Sequence, residues 1–313
     1  MRVANHSRYL LTIASICLLL CSLVIGLATS SFYYRHSTSF WDVVEEHQFS
    51  VRGQDADILF VGDSSLLFGV SSDSIRRETG STVYNIGVAM PALAVDLDSL
   101  ISQYLAHNRT PRLMILYLSA ATRTKPPYAF PPTWYEGETM LLRYGGFRRT
   151  VDFFSTNRVE ISRFMALAGR RVLAFDWKGQ LYRTLSTTLD AGHGYMPPPL
   201  QATFDTGQCP WSASPMVPDE EFIRHFRQIS ADRGIAAAVY LAPTPDCDPT
   251  FSDTASNYSR VVDNVPYTLS HSMFIDDPQH AHLVAAGALE NSRRVAEFLN
   301  RFMAASPAGV HAP

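Results

Sequence analysis

The chain has 313 residues, 46% of them hydrophobic and 18% charged, which suits a globular protein with a substantial core and excludes global disorder. Twenty-six basic residues against twenty-nine acidic ones give a net charge of −3, which argues against a generally basic nucleic-acid binder. No self-similar period of about 20–50 residues recurs, and the four cysteines form no C-x-x-C pair, so neither a repeat architecture nor a structural zinc site is indicated.

From Tyr9 to Tyr34 no residue is charged, and Tyr9–Leu27 is a run of nineteen mostly apolar residues. At about 1.5 Å rise per residue, that run matches a hydrocarbon core about 30 Å thick. Arg2 and Arg8 precede it, so the positive-inside tendency places the N-terminus in the cytoplasm and the rest outside. A cleaved signal peptide ending at Ala28-Thr29-Ser30 is the other reading, but the apolar run is longer than a usual signal core and favours an uncleaved anchor. The expected location is therefore the cell inner membrane, single-pass, with a periplasmic C-terminal domain. Cys209 and Cys247 are the cysteines outside the apolar run, and an oxidising compartment favours a disulfide between them over two separate thiols.

Residues 31–55 read as a linker and first helix, anchored by Phe40, Trp41, Val43 and Val44. Ile58–Val61 is a buried strand running into a turn at Gly62-Asp63-Ser64-Ser65. Ser74–Glu78 fits a short helix closed by Gly80, Thr82–Ile86 a strand, Leu93–Ala106 a helix and Leu113–Leu118 a fully apolar strand. Residues 125–217 interrupt the alternation as an insertion, helical over about 150–187. The alternation returns with a helix over Asp219–Arg233, strands at Ile235–Leu241 and Phe274-Ile275, and a final helix over Leu283–Phe302. Strands alternating with helices imply right-handed β-α-β units and a parallel sheet covered on both faces. The α/β domain spans 56–305, and 306–313 is a tail expected to be disordered.

Sheets of this kind bind ligands at the carboxyl ends of their strands. Ser64, at a strand-to-helix turn, presents a hydroxyl beside backbone N–H groups, as a nucleophile with an oxyanion hole requires; helix capping by Asp63 or Ser64 is the structural alternative. Asn85-Ile86-Gly87 follows the second strand and can approach that serine with backbone amides. Before the last helix, Asp277 and His280 lie three apart, so a carboxylate can orient an imidazole as general-base catalysis needs. His280-x-His282 also admits a metal reading, but two histidines without further ligands do not define a site, and no cofactor is expected. Spacing from Asp277 favours His280 as the base, and spacing to Gly287 favours His282; the carboxylate–imidazole requirement tips the choice to His280.

Gly62-Asp63-Ser64, Asn85-x-Gly87, Asp277-x-x-His280 and the run HLVAAGA at His282–Ala288 resemble, in order and spacing, the SGNH/GDSL hydrolase superfamily. The resemblance is strongest to its membrane-anchored extracytoplasmic branch, which includes DltD-like and alginate-acetylation-type proteins, and it leaves the insertion uncovered. It implies a flavodoxin-like three-layer fold with Ser64 as nucleophile, His280 as base and Asp277 as its orienting partner. It further implies an esterase or O-acyltransferase acting on a cell-envelope or exported polysaccharide, and admits a membrane acyltransferase as a partner. Two positions depart from the pattern. Met90 stands where the family has a glycine whose amide joins the oxyanion hole. Ser119-Ala120-Ala121-Thr122 lacks the family's asparagine, with Thr122 or Arg123 as substitutes. Losing one oxyanion donor costs about 3–4 kcal/mol of transition-state stabilisation, so a non-catalytic component of polysaccharide export or modification is the competing reading.

The insertion offers two means of recognition. Tyr128, Phe130, Trp134 and Tyr135 lie among prolines and can present ring faces to sugars, or simply pack a long loop. Between Arg143 and Arg183 there are nine basic residues and three acidic ones (Asp152, Glu160 and Asp176). That excess, with Arg148 and Arg149 adjacent in it, suits an anionic polymer or lipid headgroups, or else a solvated helical face.

Overall fold

A computed structural model describes residues 2–119, 135–156, 161–198, 216–275 and 282–305. The chain opens with α1 (Arg2–Ala28), α2 (Ser31–Arg35) and α3 (Phe40–Ser50), followed by β1 (Ile58–Gly62), α4 (Ser64–Gly69), α5 (Ser72–Thr79) and β2 (Val83–Gly87). Next come α6 (Met90–His107) and β3 (Leu113–Leu118), then α7 (Tyr135–Met140), a π-helical turn at Leu141–Gly145, α8 (Gly146–Thr156), α9 (Ile161–Leu173) and α10 (Gln180–Ala191). The chain continues through α11 (Glu220–Ala231), β4 (Ala236–Leu241), β5 (Thr244–Pro245), α12 (Phe251–Tyr258), β6 (Thr268–Leu269) and α13 (Ala285–Ala305). α1 is long and apolar enough to cross a membrane.

The main sheet has the order β2-β1-β3-β4, all parallel, with Gly62 in register with both Gly87 and Tyr117. β1 and β3 are central and buried on both faces, which is why their sequences are unbroken apolar runs. Alternate side chains serve opposite cores. Leu59, Val61, Met114 and Leu116 pack with Leu97, Leu100 and Tyr104 of α6 and with Ile223 and Phe226 of α11. Ile58, Phe60, Ile115 and Tyr117 pack with Leu66 of α4, Ile75 of α5 and Val295, Phe298 and Leu299 of α13. Local chemistry sets several helix ends. Ser71 caps α5 by accepting from the Ser74 amide, Gly80 closes it in the left-handed region (φ 70°), and Asp219 caps α11 by accepting from the Glu221 and Phe222 amides.

Phe274-Ile275, expected as a strand of the sheet, takes another role. Phe274 forms an isolated antiparallel bridge with Leu283; the Ile275 amide donates to the His282 carbonyl and the Val284 amide to the Met273 carbonyl. Burial of Phe274 and Leu283 in a small satellite core explains the apolar pair without a sheet.

α3 is far more than a linker helix. Eight consecutive residues, Asp42–Phe49, are buried. Three of their polar members meet the insertion: Asp42 receives Arg171 at 2.5 Å, Glu46 receives Arg143 at 2.6 Å and also Arg35 of α2 at 3.2 Å, and His47 lies 3.4 Å from Asp190. Gln48 donates to the carbonyl of Asn85 at 3.2 Å, which ties the same helix to β2. Buried charge is costly unless it is paired, and Arg143 and Arg171 of the insertion, with Arg35 of α2, supply the pairs for Glu46 and Asp42.

Candidate active site

β1 delivers the chain to the sheet's carboxyl edge, and a single residue, Asp63, separates its end from α4. Asp63 caps α4: its Oδ1 accepts from the Ser65 amide at 2.9 Å and from the Ser65 hydroxyl at 2.6 Å. Its Oδ2 accepts from Ser119 Oγ at the end of β3. Three donors thus satisfy a fully buried carboxylate. The bond to Ser119 spans the ends of β1 and β3, the neighbours between which the strand order reverses, where open α/β sheets form their ligand crevice. Ser65 is committed to Asp63. Ser64, the first residue of α4, is not: its Oγ lies 2.8 Å from His282 Nε2.

The backbone bridge described above carries His282 to this point. The imidazole also meets the edge of the Phe68 ring, centroids 5.5 Å apart, and Phe68 in turn contacts Phe40 and Trp41. An imidazole within hydrogen-bond distance of a serine hydroxyl is the pairing needed to draw off the serine proton during attack on a carbonyl. Among the described residues the histidine that reaches Ser64 is His282; His280, favoured by its spacing from Asp277, and Asp277 itself lie outside the described residues.

The expected oxyanion elements are placed unevenly. Gly87 ends β2 where a Cβ would come within 2.6 Å of the Leu67 amide nitrogen, so only glycine lets the strand close on α4. Met90 opens α6, where first-turn amides have no intrahelical acceptor, so its amide is of the right type for an oxyanion donor. Asn85 departs from its expected role. Its Nδ2 donates to the carbonyls of Leu66 and Val70, and its amide donates to the His193 carbonyl. It braces α4 from below and directs no donor to Ser64. Gly194 makes this packing possible, since a Cβ there would lie 1.9 Å from the Asn85 carbonyl oxygen. Thr122 lies outside the described residues. Ser119, read from the sequence only as a gap where asparagine was expected, instead holds Asp63.

Of the expected recognition residues, Trp134 lies outside the described residues and only the backbone of Tyr135 is described, at the start of α7. Arg148 is exposed and lies 4.0 Å from Asp152. Arg149 is not free for an anionic polymer: it sits 3.0 Å from Asp96 and 3.4 Å from Asp98 of α6. Asp96 occupies a break in α6 (φ −140°, ψ 43°), and burial pushes its carboxyl up to about 6 despite Ser99 and Arg149.

Cys247 is disulfide-bonded, and Cys17 and Cys21 are free; the expected partner Cys209 lies outside the described residues. Asp246, Cys247 and His271 cluster closely enough to hold a cation. A disulfide sulfur is not the thiolate that metal binding requires, however, and Asp246 already accepts from both the amide and the Nδ1 of His271. Comparison with family models, curated proteins and solved structures gives no match.

Proposed function

We propose that the protein is a membrane-anchored serine esterase or O-acyltransferase of the SGNH type, acting on an acylated glycan of the cell envelope or an exported polysaccharide. The observation that carries this reading is the 2.8 Å approach of Ser64 Oγ and His282 Nε2 at the carboxyl edge of a parallel sheet. In the proposed reaction His282 takes the Ser64 proton as Oγ attacks the acyl carbonyl. The tetrahedral oxyanion is met by backbone amides such as those of Ser64 and Met90. The sugar alcohol then leaves with the proton from His282, and the acyl group remains as an ester on Ser64. Water or a second alcohol, deprotonated by the same imidazole, resolves that ester as hydrolysis or transfer. Asp277, three residues before His280 and five before His282, is proposed as the orienting carboxylate by the resemblance, and a membrane acyltransferase is a source of activated acyl groups.

The proposed orientation has α1 in the inner membrane and the α/β domain in the periplasm, where the disulfide at Cys247 is compatible with the oxidising environment. The test is turnover of p-nitrophenyl acetate and of an acetylated polysaccharide by the full chain. Ser64→Ala and His282→Ala should abolish turnover, while Ser65→Ala and His280→Ala retain it. A parent that binds the polysaccharide with no turnover of either ester would replace the enzyme reading with a binding component.

A further inference from the structure

The C-terminal end of α1 does not stand apart from the domain. Val24 and Ala28 pack in one cluster with Leu142, Phe154 of α8, and Phe164 and Ala168 of α9. Tyr9–Ala28 is 20 residues long, about 30 Å of helix, so a bilayer that accepts it ends near Val24–Ala28. The helices packed there are at the level of the lipid headgroups.

Those helices carry large apolar side chains that the fold leaves uncovered. Phe147 and Val151, one turn apart on α8, are exposed, Phe147 by 87%. Leu173, ending α9, is 86% exposed, and Trp177 just beyond it is 83% exposed. A single exposed leucine means little, but several such residues on elements packed against one apolar helix mark a contact surface. The same elements carry exposed basic residues: Arg163 and Arg170 on α9, and Lys178 and Arg183 around the start of α10. Amphipathic helices that lie in a bilayer interface combine large apolar residues, tryptophan and Arg/Lys in this way.

We propose that α8, α9 and the following turn through Lys178 form a collar seated on an anionic phospholipid surface around the end of α1. Apolar side chains enter the headgroup–acyl boundary, and arginines and lysine meet the phosphates. This rests on the membrane-anchor part of the reading above and is independent of catalysis at Ser64. Continuity with the apolar helix selects lipid over a second copy of the chain, because the patch begins where the span ends.

The test places a benzophenone-bearing residue in the full chain, reconstituted in nanodiscs of phosphatidylethanolamine and phosphatidylglycerol. It stands, one position at a time, for Leu173, Phe147, Leu19 within α1, or Val265, an exposed apolar residue outside the collar. After illumination, intact mass reports the adducts. Positions 173 and 147 should label lipid several-fold more than 265, and their yield should fall when phosphatidylcholine replaces phosphatidylglycerol. Background labelling at 173 and 147 with strong labelling at 19 overturns the collar and leaves the anchor. Protein–protein adducts at 173 and 147 overturn it in favour of a second copy. No lipid labelling at 19 removes the anchor and the collar with it.

Discussion

Replacing Arg143 with methionine probes how the insertion is held to the sheet. The guanidinium is almost fully buried, 2.6 Å from Glu46, and stacks over Tyr34 and Tyr144 at 4.2 and 4.8 Å. Without it, the one cation left beside the buried Glu46 carboxylate among the described residues is Arg35, whose side chain is half exposed. Two unit charges about 4 Å apart in surroundings of effective dielectric about 20 interact by about 4 kcal/mol. Arg35 retains a screened fraction of that, while loss of the stacked cation adds about 1 kcal/mol. The expected cost is therefore about 3–4 kcal/mol, within the range for breaking a buried ion pair. With an unfolding entropy of about 2.1 cal/mol/K per residue, it corresponds for a chain of this size to a fall of about 5–6 °C in the midpoint of thermal unfolding. Glu46→Leu added to Arg143→Met should recover much of the loss, because no buried charge is then left alone. The assay is thermal unfolding of the full chain in detergent. A single variant within about 1 kcal/mol of the parent, or a double variant worse than the sum of the singles, would refute the clamp.

Asp96 should impose a pH dependence of opposite sign to the usual carboxylate. Its folded value of about 6 lies above the ordinary 3.8, so the folded state holds a proton that the unfolded state has lost. Stability from this group is present below about pH 4 and falls by about 3 kcal/mol as pH rises through 6. Asp96→Asn should flatten that slope in urea titrations; a parent whose stability rises across the window because of this side chain would contradict it. Gly87→Ala should cost at least about 1–3 kcal/mol by forcing β2 away from Leu67, and unchanged urea midpoints would refute the close packing. Arg148→Glu should change stability by less than about 0.5 kcal/mol. Arg149→Glu should be clearly destabilising, since it brings a third carboxylate to Asp96 and Asp98; equal effects would contradict the difference between the two arginines.

The sheet was legible because its central strands need no partner information: ILFV and LMILYL are buried on both faces and could be little else. The serine turn was legible for the same reason, since it ends the first of those runs. What could not be read depends on contacts distant in sequence. Asp42, Glu46 and His47 look like the solvated side of an amphipathic helix until Arg171, Arg143 and Asp190 close over them from more than 95 residues away. The same pairing explains why part of the basic excess in the insertion is structural: Arg143, Arg149 and Arg171 face carboxylates of α3 and α6. Local spacing points both ways, from Asp277 to His280 and from Gly287 to His282, and neither spacing measures the approach to Ser64. The bridge from Ile275 to His282, which brings that imidazole to Ser64, is a tertiary pairing with no periodicity to announce it. Ser119 was visible only as a missing asparagine, because its role requires Asp63, which follows the neighbouring strand.

The most direct test is reaction of the full chain with a fluorophosphonate, followed by peptide mapping of the adduct. A serine whose hydroxyl is paired with an imidazole should react, whereas Ser65, held by Asp63, should not. One adduct is expected, on Ser64, absent from Ser64→Ala, strongly reduced in His282→Ala and retained in Ser65→Ala. An unlabelled parent, an adduct on another serine, or full labelling of His282→Ala would contradict it.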